Sequence, residues 1–158
     1  MGVPDLRVAF THRPFAALAL IEFHDIVRLR DEVFVVEQRI TAEAEVDGKD
    51  PECAHVMGRT PAGDLVATAR IFLDHDPAKV GRVAVRPDMQ RHGVGTALMK
   101  YVHEVVGTRP AMLSAQAYLR AWYTRLGWTA QGDLYDEAGI PHVRMVRGRP
   151  GAGGPLRA

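Results

Sequence analysis

The sequence predicts a single α/β domain in which helices flank a mixed, mostly antiparallel central sheet. Three observations lead to this fold class. The chain has 158 residues, a length that suits one hydrophobic core. Its apolar residues switch repeatedly between the two-residue period of strands and the longer period of helices. Three strand-like runs also follow one another through short turns, which favours an antiparallel meander.

The N-terminal half is predicted to hold one helix. Residues 6–10 alternate apolar and polar side chains, which predicts a first strand, and residues 18–36 show helical spacing. Residues 41–51 are acidic and contain Asp47-Gly48, so a loop is predicted there. The three strands of the meander are predicted at residues 55–59, 65–73 and 80–85.

The C-terminal half alternates helices and strands. One helix is predicted over residues 93–106, and a second helix over residues 118–126 ends at Gly127, a usual C-terminal glycine stop. The domain is predicted to span residues 1–147, and the glycine- and proline-rich residues 148–158 are predicted to be a disordered tail. Strands of this half are predicted at residues 112–117, 128–135 and 143–146.

Composition and charge argue against several classes of protein. A formal net charge of +1 gives no basis for binding nucleic acid or an anionic membrane. A weak signal-peptide-like run at residues 12–21 is cut short by Glu22, and no run approaches the ~20 apolar residues of a membrane span. Cys53 is the only cysteine, which fits a cytoplasmic protein without disulfides. Cys53-x-His55 lacks the further paired ligands of a zinc site, so no metal is predicted.

A glycine-containing turn, Gln90-Arg-His-Gly-Val-Gly95, lies between a predicted strand and a predicted helix. The free N–H groups and the dipole of a helix start suit an anion such as a pyrophosphate, and glycines allow a close approach. From spacing alone, a turn that only starts a helix explains the pattern equally well. A Walker loop is excluded because Thr96 follows Gly95, and a dinucleotide fingerprint is disfavoured because Leu98 replaces its third glycine.

Gln90-x-x-Gly93-x-Gly95 resembles the acyl-CoA signature of the GNAT superfamily, Gln/Arg-x-x-Gly-x-Gly/Ala, and lies in the corresponding place after the fourth strand. The resemblance extends over about residues 5–147 and is greatest to the ElaA-like branch of that superfamily. It implies the GNAT fold, with acetyl-CoA as co-substrate and no metal. Five further segments resemble the ElaA-like set in the same order: residues 33–38, 81–85, 115–117, 122–128 and 139–142.

The resemblance also implies a set of cofactor-binding residues. The backbone of the fourth strand would contact the pantetheine arm at Val83, Ala84 and Val85. Gln116 stands where many relatives carry an asparagine that reaches the same arm. The residues of the turn would hold the pyrophosphate: Gln90, Arg91, His92, Gly93, Val94, Gly95 and Thr96.

The resemblance places Tyr123 at the position of the general acid. A phenol can donate a proton to the CoA thiolate as the thiolate leaves. The base is open, because a lysine-like ammonium with a pKa near ~10.4 must lose a proton before it attacks. Substrate-side candidates are Glu37, Gln38 and His142, and the base could also be Asp136 or His55.

The sequence therefore predicts an N-acetyltransferase that moves an acetyl group from acetyl-CoA directly to a primary amine of a small molecule or peptide. A non-catalytic acyl-CoA-binding or sensing module is the alternative, since it needs the same phosphate turn but no acid. A dinucleotide-binding domain is a third and disfavoured alternative. A homodimer formed through an exposed edge strand near the C-terminus is compatible with this fold.

Overall fold

One seven-stranded sheet organises the residues that the computed structural model describes, which are 7–41 and 43–148. Its spatial order is β1-β2-β3-β4-β5-β7-β6. The strands are β1 (Ala9–Pro14), β2 (Ala54–Arg59), β3 (Leu65–Phe72), β4 (Ala78–Val85), β5 (Ala111–Gln116), β6 (Thr129–Glu137) and β7 (Ile140–Arg147). The helices that flank this sheet are α1 (Leu20–Arg30), α2 (Val94–Val106) and α3 (Arg120–Arg125).

The predicted fold class is confirmed, and most predicted elements lie within two residues of their observed bounds. The first strand is the largest error, because it was predicted at residues 6–10 and is observed at Ala9–Pro14. Its last residues pair with β2, for example Arg13 with His55. β1 lies at the edge of the sheet and needs only backbone pairing, so its polar side chains do not interrupt it. Leu6 lies outside the described residues.

The helix predicted over residues 18–36 is two helical segments. α1 continues directly into a π-helical segment at Asp31–Glu37, where the N–H of Gln38 donates to the carbonyl of Val33 at 3.0 Å. Each π turn inserts one extra residue relative to an α-helix and therefore rotates the side chains that follow. This rotation decides which way Glu37 and Gln38 point at the end of the segment.

A gap opens in the middle of the sheet between β4 and β5. These two strands are parallel and pair only from Ala78 with Ala111 to Val80 with Leu113. Where the pairing ends, β4 carries an irregularity against β3, and Arg82 adopts a left-handed φ of 49°. A bulge of this kind bends a strand, and the bend accompanies the separation of β4 from β5. Both strand ends therefore line an open space.

Two packed clusters support the walls of this gap. α2 buries Leu98 and Val102 completely in the main core, which also contains Trp128. α1 and the π-helical segment pack Leu29 and Val33 against Ala84 of β4 in a smaller cluster. β4 therefore packs against α1 and α2, while β5 packs against α3 and pairs with β7.

The indole of Trp128 donates from Nε1 to Nε2 of His103 on α2 at 2.9 Å. Burial, with a smaller contribution from Arg147, lowers the pKa of His103 to about 4 from a usual 6.5. Between pH 4 and pH 6.5, His103 therefore binds a proton more readily in the unfolded chain than in the folded chain. We expect folding stability to fall as the pH drops from 6.5 towards 4, by about 1 kcal/mol because this half-buried site is partly screened.

Urea denaturation of wild type and His103→Gln at pH 7 and pH 5 tests this expectation. The glutamine keeps an acceptor for the indole but does not titrate, so its stability should change less between the two pH values. An equal change in both proteins would show that another group causes the pH dependence.

No helix in the described parts of the chain is long and apolar enough to cross a membrane. β6 lies at an edge of the sheet and exposes Leu134, but pairing of two copies through it stays a prediction. β7 ends at Arg147. Most of the predicted tail, residues 149–158, lies outside the described residues, so the domain boundary and the tail also stay predictions.

Candidate active site

The gap between β4 and β5 forms two adjoining cavities. The larger, of about 510 Å³, lies beside the start of α2. The smaller, of about 160 Å³, lies between the strand ends, the loop at residues 43–45 and the β6–β7 turn. The residues that line both cavities are Gln38, Val83, Leu119 and Tyr123. Two molecules bound in the two cavities would therefore meet at these four side chains.

The predicted phosphate turn lines the larger cavity. Gly93 precedes α2 with a left-handed φ of 80°, a conformation that glycine adopts without strain. Arg91 shares this conformation with a φ of 67°. Gly95 lies close to α3, where a Cβ would be in van der Waals contact with Trp122, 3.4 Å from its Cζ2. The backbone N–H groups of the first turn of α2 thus face a space that can hold an anion.

Most of the predicted cofactor residues do line the larger cavity. Two members of the turn do not: His92 is exposed outside the lining, and the side chain of Val94 is buried in the main core. The predicted residues found in the lining are Val83, Ala84, Val85, Gln90, Arg91, Gly93, Gly95 and Thr96.

Two residues lie apart from the groups with which they were predicted. Glu37 lines the larger cavity, where its carboxylate accepts a hydrogen bond from Nε2 of Gln90 at 3.2 Å. Gln116 lines the smaller cavity, where its Nε2 donates to Oε1 of Gln38 at 3.0 Å. Gln90 also donates to the carbonyl of Val85 at 3.0 Å, which ties the phosphate turn to the end of β4.

Tyr123 lies where the two cavities meet and is only 5% exposed. Its ring packs edge-on against Trp122, with centroids 4.8 Å apart, and against Trp128 at 6.3 Å. Burial, with a smaller contribution from Tyr118, raises the pKa of Tyr123 well above its usual 10. The phenol therefore carries its proton at neutral pH, and burial makes it a weaker acid than a free phenol.

A polar cluster that sequence reasoning largely missed lies at the far end of the smaller cavity. Among its members only His142 was predicted. Its Nε2 lies 3.3 Å from Oε2 of Glu137, and its Nδ1 lies 2.7 Å from the carbonyl of Ile140. Ser114 of β5 donates to Oε1 of Glu137 at 3.4 Å and also contacts the hydroxyl of Tyr135. The two-residue turn Ala138-Gly139 joins β6 to β7 and sets Glu137 and His142 on adjacent strands. This turn was the signal in the sequence that could have identified the cluster.

Most of the acidic loop is not a free run of solvated charge. Three of its carboxylates, Glu45, Asp47 and Asp50, pair with arginines from three other elements. Arg30 of α1 donates to Asp50 at 2.8 Å and to Glu45 at 2.7 Å. Arg70 of β3 donates to Asp47 at 2.7 Å and to Asp50 at 3.1 Å. This pairing fixes the loop that walls the smaller cavity.

The bulge residue of β4 takes part in the same network. Arg82 donates from Nε to Oε1 of Glu45 at 3.0 Å. The hydrogen bond from Arg70 lowers the pKa of Asp47 well below its usual 3.8, although partial burial opposes this. Burial would also raise the pKa of Asp50, but Arg30 and Arg70 outweigh it and lower that pKa. All three carboxylates of the network therefore neutralise arginines rather than attract a substrate.

Two other sequence candidates, His55 and Asp136, lie outside the cavities, and so does the only cysteine. His55 is fully buried and its Nε2 hydrogen-bonds to the carbonyl of Asp50 at 3.0 Å, so it cannot reach an acceptor amine. Asp136 is exposed on β6 and lines neither cavity. Cys53 is 2% exposed, and burial raises the pKa of its thiol to about 11. Within residues 7–41 and 43–148, no three His, Cys, Asp or Glu side chains are grouped to hold a metal.

Comparisons with known proteins agree with this arrangement. The family described as the acetyltransferase (GNAT) domain matches residues 32–148. A UPF0039 protein of Schizosaccharomyces pombe is 39% identical over 145 residues, covering 88% of this chain and 96% of that relative. The crystal structure of an acyl-CoA N-acyltransferase from Pseudomonas aeruginosa is 35% identical, with a TM-score of 0.79 and coverage of 89% and 99% of the two chains. Escherichia coli ElaA has a TM-score of 0.80 at 31% identity and the same coverage. The chain belongs to the GNAT acetyltransferases and, within them, to the ElaA-like family.

Proposed function

We propose that this protein transfers an acetyl group from acetyl-CoA directly to a primary amine. The observation that carries the proposal is the meeting of two cavities at Tyr123, one beside an anion-binding helix start and one with a polar end. The cofactor would lie in the larger cavity with its pyrophosphate at the start of α2, near Arg91. The amine would enter from the smaller cavity.

The proposed reaction is a single displacement. An acceptor that begins as an ammonium loses one proton to a base, and its lone pair then attacks the thioester carbonyl. The carbon–nitrogen bond forms, the carbon–sulfur bond breaks, and the sulfur takes a proton from Tyr123. The second proton of the attacking nitrogen returns to the phenolate. The products are an amide, CoA with a free thiol, and one proton released to solvent.

The phosphate turn offers the first test of this proposal. Valine at Gly93 must adopt a φ near 80°, which costs on the order of 1–3 kcal/mol for a branched side chain, although no atom blocks its Cβ. We therefore expect Gly93→Val to weaken acetyl-CoA binding about 10- to 100-fold in calorimetry. The same variant should bind S-acetylpantetheine, which lacks the pyrophosphate, as weakly as wild type does.

A matched glycine controls for general damage. Gly63 in the β2–β3 turn has a φ of 94°, has no atom near its Cβ and lines neither cavity. Gly63→Val should therefore suffer similar backbone strain and leave acetyl-CoA binding unchanged. If wild type binds acetyl-CoA no better than S-acetylpantetheine, the turn is only a helix start and the proposal fails.

A further inference from the structure

We propose that Glu137 and His142 form the proton acceptor for the amine, with His142 receiving the proton and Glu137 positioning it. This inference rests on the proposed function, since it assigns a role within the same transfer. It is carried by the geometry of the smaller cavity, which both side chains line. The side chain of His142 is 8% exposed, whereas that of Glu137 is 46% exposed.

The hydrogen bonds of the His142 ring determine where a proton can be added. Nδ1 lies 2.7 Å from the carbonyl of Ile140, and because a carbonyl only accepts, Nδ1 carries a hydrogen. In the neutral ring the free lone pair is then on Nε2. That atom lies 3.3 Å from a carboxylate oxygen of Glu137. A proton added at Nε2 converts a contact between two acceptors into an ion pair with the Glu137 carboxylate.

The surroundings of the pair keep the Glu137 carboxylate in place. Its other oxygen accepts from Ser114 at 3.4 Å, and Ser114 is held in turn by the hydroxyl of Tyr135. The Tyr135 ring also stacks on His142 with centroids 6.2 Å apart. The other charged residues that line the smaller cavity are Glu43, Glu45 and Arg82, and Arg144 lies two residues after His142 along β7.

The proton transfer has a simple balance. A nitrogen–hydrogen bond of the acceptor ammonium breaks and an Nε2–H bond forms on His142, while the amine keeps the electron pair. The Glu137 carboxylate attracts the ammonium before the transfer and stabilises the imidazolium after it. Once the amide has formed, the imidazolium returns its proton to solvent.

Two acceptors of similar size test this role. Ethylamine is almost fully protonated at neutral pH, whereas 2,2,2-trifluoroethylamine is mainly the free amine and has no such proton to lose. With ethylamine, we expect His142→Gln to lower kcat/KM about 100-fold and Glu137→Gln about 10-fold. With trifluoroethylamine, both losses should shrink to less than about threefold. A purely structural role would reduce both reactions equally.

Two measurements keep the outcomes distinct. Asp133 is an exposed acidic residue of β6, the strand that also carries Glu137. The Asp133→Asn variant should therefore acetylate both amines as wild type does. Acetyl-CoA affinity of all variants should remain unchanged, which shows that they are folded. Equal losses for both amines, or no loss for either, would overturn the role of the pair while leaving the acetyltransferase proposal intact. Failure of wild type to acetylate these two amines and every other amine of a broad library would overturn both.

Discussion

Tyr123→Phe should reduce kcat by about 100- to 1,000-fold and leave the Kd for acetyl-CoA within about twofold of wild type. Phenylalanine keeps the ring that packs against Trp122 and Trp128, so the core and the larger cavity keep their shape. Only the hydroxyl is lost, and with it the proton that the departing sulfur needs. Steady-state kinetics with thiol detection and calorimetry measure the two quantities separately.

A second tyrosine provides the control for this result. The hydroxyl of Tyr101 lies 2.8 Å from Nδ1 of His12, and Tyr101 lines neither cavity. Tyr101→Phe should therefore leave kcat unchanged. If Tyr123→Phe turns over like wild type, the proton for sulfur comes from elsewhere. If wild type binds acetyl-CoA but acetylates no amine in a broad library, the non-catalytic binding module becomes the better explanation.

The largest effect on stability is expected at Asp50, which is 2% exposed between two arginines. Asp50→Ala would leave the buried guanidinium groups of Arg30 and Arg70 without a shared partner. Breaking a buried ion pair on one side typically costs about 3–5 kcal/mol when the remaining charge is left uncompensated, but Arg30 keeps Glu45 and Arg70 keeps Asp47, so the cost here should be nearer ~2–3 kcal/mol. We expect a decrease of that size in the free energy of unfolding, measured by urea denaturation.

Two further variants interpret that measurement. Asp50→Asn keeps the volume and one acceptor oxygen, so its loss should be smaller than that of alanine. Asp74→Ala removes an exposed aspartate from the turn after β3 and should change stability by less than about 0.5 kcal/mol. A loss below about 1 kcal/mol for Asp50→Ala would mean that water or the remaining carboxylates, Glu45 and Asp47, satisfy both arginines.

Local sequence patterns predicted the elements of the fold well. Alternation and turn residues depend on neighbours a few positions apart, and the sequence contains these directly. The gap between β4 and β5 was not predicted, because it depends on how far two strands pair and on a bulge at a non-glycine residue, Arg82. The resemblance to the GNAT superfamily named residues that line the gap, but it did not give the geometry of the gap.

The candidate site was predicted unevenly for a related reason. Glu37 and Gln38 are neighbours at the end of a π-helical segment, whose extra residue per turn rotates them away from the direction that a regular helical period gives. Glu37 consequently faces the larger cavity. Gln38 instead meets Gln116, which is 78 positions away in the sequence. Contacts at such separations arise only from the sheet topology.

The arginine–carboxylate network was missed because its partners lie 15 to 37 positions apart, on separate elements. A run of acidic residues in a glycine-containing loop is usually solvated, and nothing near it in sequence indicates otherwise. The distribution of arginines over α1, β3 and β4 becomes meaningful only once these elements converge on the loop.

The burial of the only cysteine has a practical consequence for measuring turnover. Chromogenic disulfide reagents react with thiolates, and with a pKa of about 11 only about one Cys53 side chain in a thousand is ionised at pH 8. Its sulfur is also shielded from solvent and donates to the carbonyl of Lys49. The colour developed in such an assay would therefore come from released CoA, with little background from the folded protein. A slow rise in background colour would instead report unfolding.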